Sequence, residues 1–413
     1  MQSWTRPAIP TLPGKGLVPR IFDSASQTLV EARPHPSTPD LVSIYVCGIT
    51  PYDATHLGHA NTYLAFDTLI RVWLDAGYQV RYVQNVTDID YPLLERALRD
   101  GVDWRELAAS QIELFRGDMV ELGVIPPDAF VAVTDMIAQV AVAVQKLVEN
   151  GTGYRVSSPD AAADIYFDSA VELPAWQLGQ VSSLGQTDML QLSAERGGDP
   201  LRAGKRHPLD PLLWRAERTG EPAWESTVGS GRPGWHVECT VIALEHLRSP
   251  ITVNGGGRDL VFPHHEFSAG HAAALTGHPL AGIYAHAGMV AYAGEKMSKS
   301  LGNLVLVSKL VAGGVDPRCI RLALLAEHYR GDWEWTDAHR LTAMHRLATW
   351  SAWAATAQSF DDGLLSELRE LLADDLNTPG AIDAIDAAIS GGASASVSVI
   401  DAIDALLGIR LGA

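Results

Sequence analysis

The chain has 413 residues, 47% of them hydrophobic, and a formal net charge of −18. That length is too great for one ordinary core and predicts two or three packed units, while the acidity disfavours non-specific attraction to nucleic acid, though a local basic groove stays possible. No apolar run reaches membrane-span length, the opening MQSWTRPAIPTLPGKG lacks a signal-peptide pattern, and Cys47, Cys239 and Cys319 are too few and too odd in number for a disulfide framework; a globular cytoplasmic protein whose cysteines are buried or bind metal is expected.

In chain order, LVSIYVCG from Leu41 to Gly48 predicts a buried strand, being a continuous β-branched and aromatic run that ends on glycine. After the turn residues ITPYDAT, the segment HANTYLAFDTLIRVWLDAG puts Tyr63, Phe66, Leu69, Ile70, Trp73 and Leu74 on one helical face and stops at Gly77. QVRYVQNVTDID then predicts a second strand. Strand, helix, strand is the repeating unit of a doubly wound parallel sheet, whose ligands sit beyond the carboxyl ends of the strands. Asp103 to Asn150 is patterned as helix, broken at VIPPD. Gly151 to about Gly231 is polar and rich in Gly, Pro and Ser and predicts an insertion; SPITVNGGGRDLVF and IYAHAGMVAYAG return to the parallel-sheet idiom, so the core is split around it. Beyond Val315 the chain is mostly helical, with Trp333, Trp335, Trp350 and Trp353 as packing anchors and SGGASASVS as a turn between two short helices.

Chemistry-bearing residues gather at the strand ends. His56 and His59 fall where the first strand gives way to its helix, and a helix amino terminus offers unpaired N–H groups and positive potential to an anion. Gly58 between them lets a ligand approach the backbone. Taken alone, His-x-Gly-His is also what an ordinary helix start can look like. KMSKS, with Lys296 and Lys299, is a basic turn that can neutralise charge on a leaving pyrophosphate, or a plain solvated loop. In this order and separation, HLGH and KMSKS together resemble the paired signatures of the class I aminoacyl-tRNA synthetases, which implies a split Rossmann-type α/β catalytic domain that activates a carboxylate as its adenylate.

Cys47, Cys239 and His264, far apart in sequence, form a donor set suited to zinc, and three protein ligands leave one position open for a thiolate. Each alone reads equally as a buried cysteine or core histidine. Their settings, YVCGIT, GWHVEC and FPHHE, resemble the zinc motifs of cysteinyl-tRNA synthetase and imply L-cysteine as the amino acid. Zinc takes a thiolate far more readily than an alkoxide, whose proton is much harder to remove, so serine is excluded without editing.

Two departures from the synthetase pattern stand out. Where FPHHENE has a ligating glutamate this chain has Ser268, and the insertion carries ERGGDP, Glu195 to Pro200. ERGGDP, the short length and the string GITPYDATHLGHA resemble the cysteine ligases of mycothiol biosynthesis, relatives of cysteinyl-tRNA synthetase that couple L-cysteine to glucosaminyl-inositol, and the short C-terminal region leaves little room for an anticodon-binding module. The resemblance implies an N-terminal extension (1–35), a Rossmann catalytic domain in two halves (36–128 and 231–300) around a connective insertion (129–230), a stem-contact-like segment (301–340) and a helical C-terminal domain (341–413). It assigns Cys47, Cys239 and His264 to one zinc ion, and Cys47, Thr50, Thr62, Asn85, Val86, Thr87, Trp235, Gly257, Arg258, Asp259 and Val290 to the cysteinyl-adenylate. His56, His59, Lys296, Lys299 and Mg²⁺ are assigned to ATP activation. Threonine hydroxyls, a glycine backbone and an aspartate suit an ammonium and a ribose, and Trp235 suits a pocket wall, although Thr50 and Thr87 also read as turn or cap residues. The expected enzyme is a monomeric, AMP-forming amide ligase using ATP, L-cysteine and glucosaminyl-inositol without tRNA; a short cysteinyl-tRNA synthetase is the alternative and a silent synthetase-like protein the outsider. His236, His265 and solvent all remain open as the base for the acceptor amine.

Overall fold

The computed structural model describes residues 1–52, 55–158, 162–297, 302–357 and 363–411, and of Lys296 the backbone alone. A hairpin, β1 (Arg20–Asp23) and β2 (Thr28–Glu31), precedes β3 (Leu41–Val46), α1 (Leu57–Asp75) and β4 (Gln79–Val86), the strand, helix and strand that the sequence pattern predicts. Helices α2 (Tyr91–Asp100) and α3 (Trp104–Glu121) follow, then strand β5 (Ala129–Ala132) and α4 (Ile137–Glu149). Asp103–Asn150 is therefore not helical throughout. The four residues of β5, just past 128, pair in parallel with β4, with Val83 opposite Ala129.

The inserted stretch builds its own antiparallel sheet from β6 (Gly153–Val156), β7 (Asp164–Phe167), β8 (Leu212–Ala216) and β9 (Gly231–Pro233), with α5 (Gln186–Glu195) between β7 and β8. The chain then returns through α6 (Trp235–His246), β10 (Ile251–Gly257), α7 (Glu266–Thr276) and β11 (Ala281–Ala287). The central sheet has the order β11-β10-β3-β4-β5 and every pairing in it is parallel. Its winding reverses between β10 and β3, and a crevice opens beyond the strand ends at such a switch point.

A small sheet of β12 (Val290–Tyr292), β13 (Glu295–Lys296) and β14 (Trp333–Trp335) flanks that end. The other elements of the C-terminal part are α8 (Val307–Ala312), α9 (Pro317–Leu325), α10 (Asp337–Ala354), α11 (Gly363–Ala373), α12 (Thr378–Ser390) and α13 (Val397–Leu407). Trp335 and Trp350 are buried, and Trp333 and Trp353 pack on the same core from partly buried positions. The one-sided apolar face expected of α1 is an understatement: it is buried from Tyr63 to Trp73, between the sheet, α9 and α13. No helix among the described residues is long and apolar enough to cross a membrane.

Candidate active site and metal centre

The end of β3 and the end of β10 meet at the switch point, where the Cys47 amide donates to the Gly255 carbonyl (3.0 Å). Cys47 thus faces the start of α6, which presents Cys239, and the turn before α7, which presents His264. The candidate ligand atoms of these three buried residues lie within 4.8 Å of one another. His264 is braced on one side by the His236 ring (Nδ1 to Nδ1, 3.1 Å), while its Nε2 is buried with no hydrogen-bond partner among the described residues. Trp235, at the first position of α6, stacks on the same imidazole. Two sulfurs and an orphaned ring nitrogen in a dry pocket fit a metal ion such as zinc, with His236 orienting its ligand from behind.

Ser268, in the place of the missing carboxylate, is buried and donates to the His236 carbonyl (3.2 Å), so it supports the helix start. On the other side the Cys47 sulfur lies 3.2 Å from His265 Nε2; His265 Nδ1 meets His286 Nε2 at 2.8 Å, and His286 Nδ1 meets Ser24 Oγ of the hairpin at 2.7 Å. Burial pushes the pKa of His236 and of His265 down to about 3, so both stay neutral and act as neutral hydrogen-bonding groups. Burial likewise raises the Cys47 thiol well above its ordinary value, and the nearby Cys239 adds to the shift. Thiols in that state need a cation to hold them as thiolates.

The remaining candidates fall into smaller groups. Asn85, at the end of β4, accepts from the Tyr45 hydroxyl (3.0 Å) and the Gly48 amide (2.8 Å) and donates to Thr87 Oγ1 (3.0 Å), tying the turn after β3 to the turn after β4. Val86 is buried between them, and Thr50 accepts the Tyr52 amide within a turn. Thr62 faces the Gly257–Asp259 turn from α1, while its hydroxyl donates to the Gly58 carbonyl (3.2 Å). His56 is the N-cap of α1, its Nδ1 accepting from the Gly58 amide, and its ring stacks on His59 at 3.8 Å. Val290 is buried in β12. Arg258 turns outward to the Asp332 carboxylate (2.7 Å) and the Arg330 carbonyl, so its guanidinium is spent on the segment leading to β14. The Lys296 backbone pairs with Ala291, its side chain lies outside the description, and Lys299 lies outside the described residues.

Three contributors escaped sequence reasoning: Ser24, Tyr45 and His286. Tyr45 and His286 sit in segments whose apolar pattern read only as strand, and Ser24 in a stretch read only as an N-terminal extension; the folded sheet brings them together.

The family model that matches is that of the tRNA synthetases class I (C) catalytic domain, over residues 34–345. The L-cysteine:1D-myo-inositol 2-amino-2-deoxy-alpha-D-glucopyranoside ligase of Clavibacter michiganensis subsp. michiganensis is 60% identical across 100% of this chain and 99% of its own length. The chain belongs to this ligase family. A ligase of the same name from Paenarthrobacter aurescens is 54% identical, with 100% of both chains covered. The fold of this chain is that of a class I synthetase: Mycobacterium tuberculosis methionyl-tRNA synthetase in complex with methionyl-adenylate superposes with a TM-score of 0.59 at 16% identity, covering 90% of this chain and 88% of that one.

Proposed function

We propose that the protein activates L-cysteine with ATP as cysteinyl-adenylate and transfers it to the amine of glucosaminyl-inositol, releasing pyrophosphate and then AMP. The observation that carries this reading is the convergence of Cys47, Cys239 and the unpartnered Nε2 of His264 at the switch point of a chain that resembles such ligases from end to end. A zinc ion held by these three residues would supply a thiolate-selective contact for the substrate sulfur.

The chain's own residues supply the rest. The Gly257–Asp259 turn and Thr62 line the side where a ribose would lie. His56 and His59, at the amino end of α1, face the phosphates where helix N–H groups and imidazoles favour negative charge. The cysteine carboxylate oxygen attacks the α-phosphorus and the bond to the β-phosphate breaks; Lys296 and Lys299 carry the charge of the departing pyrophosphate, and Mg²⁺ brought with ATP would share it. The free acceptor amine then attacks the activated carbonyl carbon, AMP leaves, the nitrogen gives its surplus proton to a base, and the amide remains. The reading places the protein in the cytoplasm, as a monomer, with small-molecule substrates and no tRNA.

The test is mass spectrometry of products formed from ATP and L-cysteine with glucosaminyl-inositol and tRNA both present. The amide and AMP are expected, at a rate unchanged by tRNA. Cysteinylated tRNA without amide would give the role to a short cysteinyl-tRNA synthetase instead.

A further inference from the structure

ERGGDP closes α5. Gly197 takes a left-handed backbone (φ +84°), and the Gly198 amide donates back to the Ser193 carbonyl (2.7 Å), the six-to-one bond of a Schellman stop. A Cβ on Gly198 would run into the Ser193 main chain, so the second glycine is required by close approach. Asp199 then pins the motif to the inserted sheet, accepting from the Tyr166 hydroxyl (2.5 Å) and from Lys205 Nζ (2.8 Å), whose side chain is 3% exposed. The helix end is thereby fixed, and with it the direction in which Arg196 leaves.

Arg196 crosses from the insertion to the catalytic body. Its Nη1 donates to the carbonyls of both Asp259 and Phe262, at 2.5 Å each. These carbonyls belong to the turn that follows β10, carries Asp259, and reaches His264 two residues after Phe262. We infer that Arg196 is a positioning residue: it clamps this turn, and so holds His264 on the metal side and Asp259 on the nucleotide side in one register with the insertion. The residue type suits the task, because a guanidinium offers several coplanar donors in a rigid fork, whereas an ammonium is a compact point charge on a flexible stem. ERGGDP is on this view a strut whose glycines and aspartate exist to aim one arginine. The inference deepens the functional reading above and rests on it for the zinc ion at His264 and for the choice of substrates in the assay.

The test compares the zinc-loaded native protein with Arg196→Ala, Arg196→Lys and, as a control, Arg202→Ala, which removes another insertion arginine that pairs with Asp164 instead. Zinc release to a chromophoric chelator is the first readout, and the KM for L-cysteine against kcat in pyrophosphate exchange is the second. Loss of a group that orients a metal ligand weakens metal binding by roughly 10- to 100-fold. Arg196→Ala should therefore release zinc about tenfold faster or more and raise the cysteine KM more than it lowers kcat, Arg196→Lys should fall between it and the native protein, and Arg202→Ala should match the native protein. Native zinc release and native KM in Arg196→Ala would overturn the inference, as would the same defect in Arg202→Ala. If Arg196→Ala does not fold, Arg196→Lys decides alone, since zinc release at the native rate in that variant would sink the clamp. Should exchange in the native protein ignore cysteine, the functional reading fails while the zinc comparison still judges Arg196.

Discussion

The indole of Trp235 lies over the imidazole of His264, ring centroids 4.4 Å apart and planes inclined by 28°. The stack closes one side of the thiol cluster against water and keeps the His264 ring from turning away. An aromatic contact of this kind contributes about 0.5–1.5 kcal/mol beyond the area it buries. Trp235→Ala is therefore expected to weaken L-cysteine binding by roughly 3- to 10-fold, with Trp235→Phe closer to native, measured by calorimetric titration. Native affinity in the alanine variant would remove the indole from the pocket wall.

Metal content gives a sharper test. Purified protein should carry about one zinc per chain after dialysis, because three donors converge and the described residues hold no other such group of metal-binding side chains. Cys47→Ser, Cys239→Ser and His264→Ala each leave two donors and should retain little of it. Full loading of any of the three, by elemental analysis, would take that residue out of the ligand set.

Asn85 joins two turns through one side chain. With Asn85→Ala the buried Tyr45 hydroxyl and the Gly48 amide lose their shared acceptor. Stranding such groups costs about 1–3 kcal/mol each. Denaturant unfolding should show a loss of that order, and cysteine-dependent pyrophosphate exchange should fall because Cys47 sits beside Gly48. A stable variant with native exchange would show that the turn holds itself.

These contacts explain which parts of the molecule could be read in advance. The unit β3, α1 and β4 was legible because long apolar runs and a helical face leave few alternatives. Strand β5 was not, since four residues between two helical stretches carry no period of their own. The inserted sheet escaped for the same reason, its strands being three to five residues long among glycines and prolines. At the site, Cys47, Cys239 and His264 could be grouped because each stands in a distinctive motif. The path from Cys47 through His265 and His286 to Ser24 could not, because it is made by hydrogen bonds between segments with no shared pattern. Arg258 was reached through its motif position alone, and its pairing with Asp332 had no signal in the sequence.

Asp118 predicts a pH dependence. It is buried on α3 with Oδ2 unpartnered among the described residues, and burial, opposed by Thr55 and aided by Glu121, raises its pKa to about 7. Its folded pKa exceeds the unfolded carboxyl value near 3.8, so the folded state binds the extra proton between the two. Stability should then fall as pH rises from about 4 through about 7 and change little above that. Asp118→Asn, neutral throughout, should gain on the native protein over this window and be more stable at pH 8 by about 1–3 kcal/mol, the scale of one stranded buried oxygen. Thermal unfolding of both across pH 5 to 8 checks the sign, and parallel curves would exclude Asp118 as the cause.

The last prediction concerns how the C-terminal helix is fastened to the catalytic core. Asp67 of α1 is fully buried with Arg71 (2.7 Å) and Arg321, and also accepts the Ile125 amide (2.8 Å). Burial alone would raise its pKa, but the two guanidiniums outweigh it and hold the carboxyl below its usual value. Arg321 donates onward to the carbonyls of Leu407 (2.5 Å) and Leu122 (2.8 Å), and Arg71 to those of Asp404 (3.0 Å), Ala405 (3.1 Å) and Gly123 (2.8 Å). Two arginines thus saturate the carboxyl ends of α3 and α13 at once, sites where cations are favoured. Removing one partner of a buried ion pair typically costs about 3–5 kcal/mol, so Arg321→Ala should destabilise the protein on that scale and expose α13 to proteolysis before the rest. Gly408 offers an independent check: a Cβ there would strike the Arg321 guanidinium, so Gly408→Ala should loosen the same helix while leaving every charge in place. If both variants keep native stability in denaturant and native resistance to protease, the cluster does not fasten α13, and the apolar contacts of Ala402, Ile403 and Leu406 hold it without help.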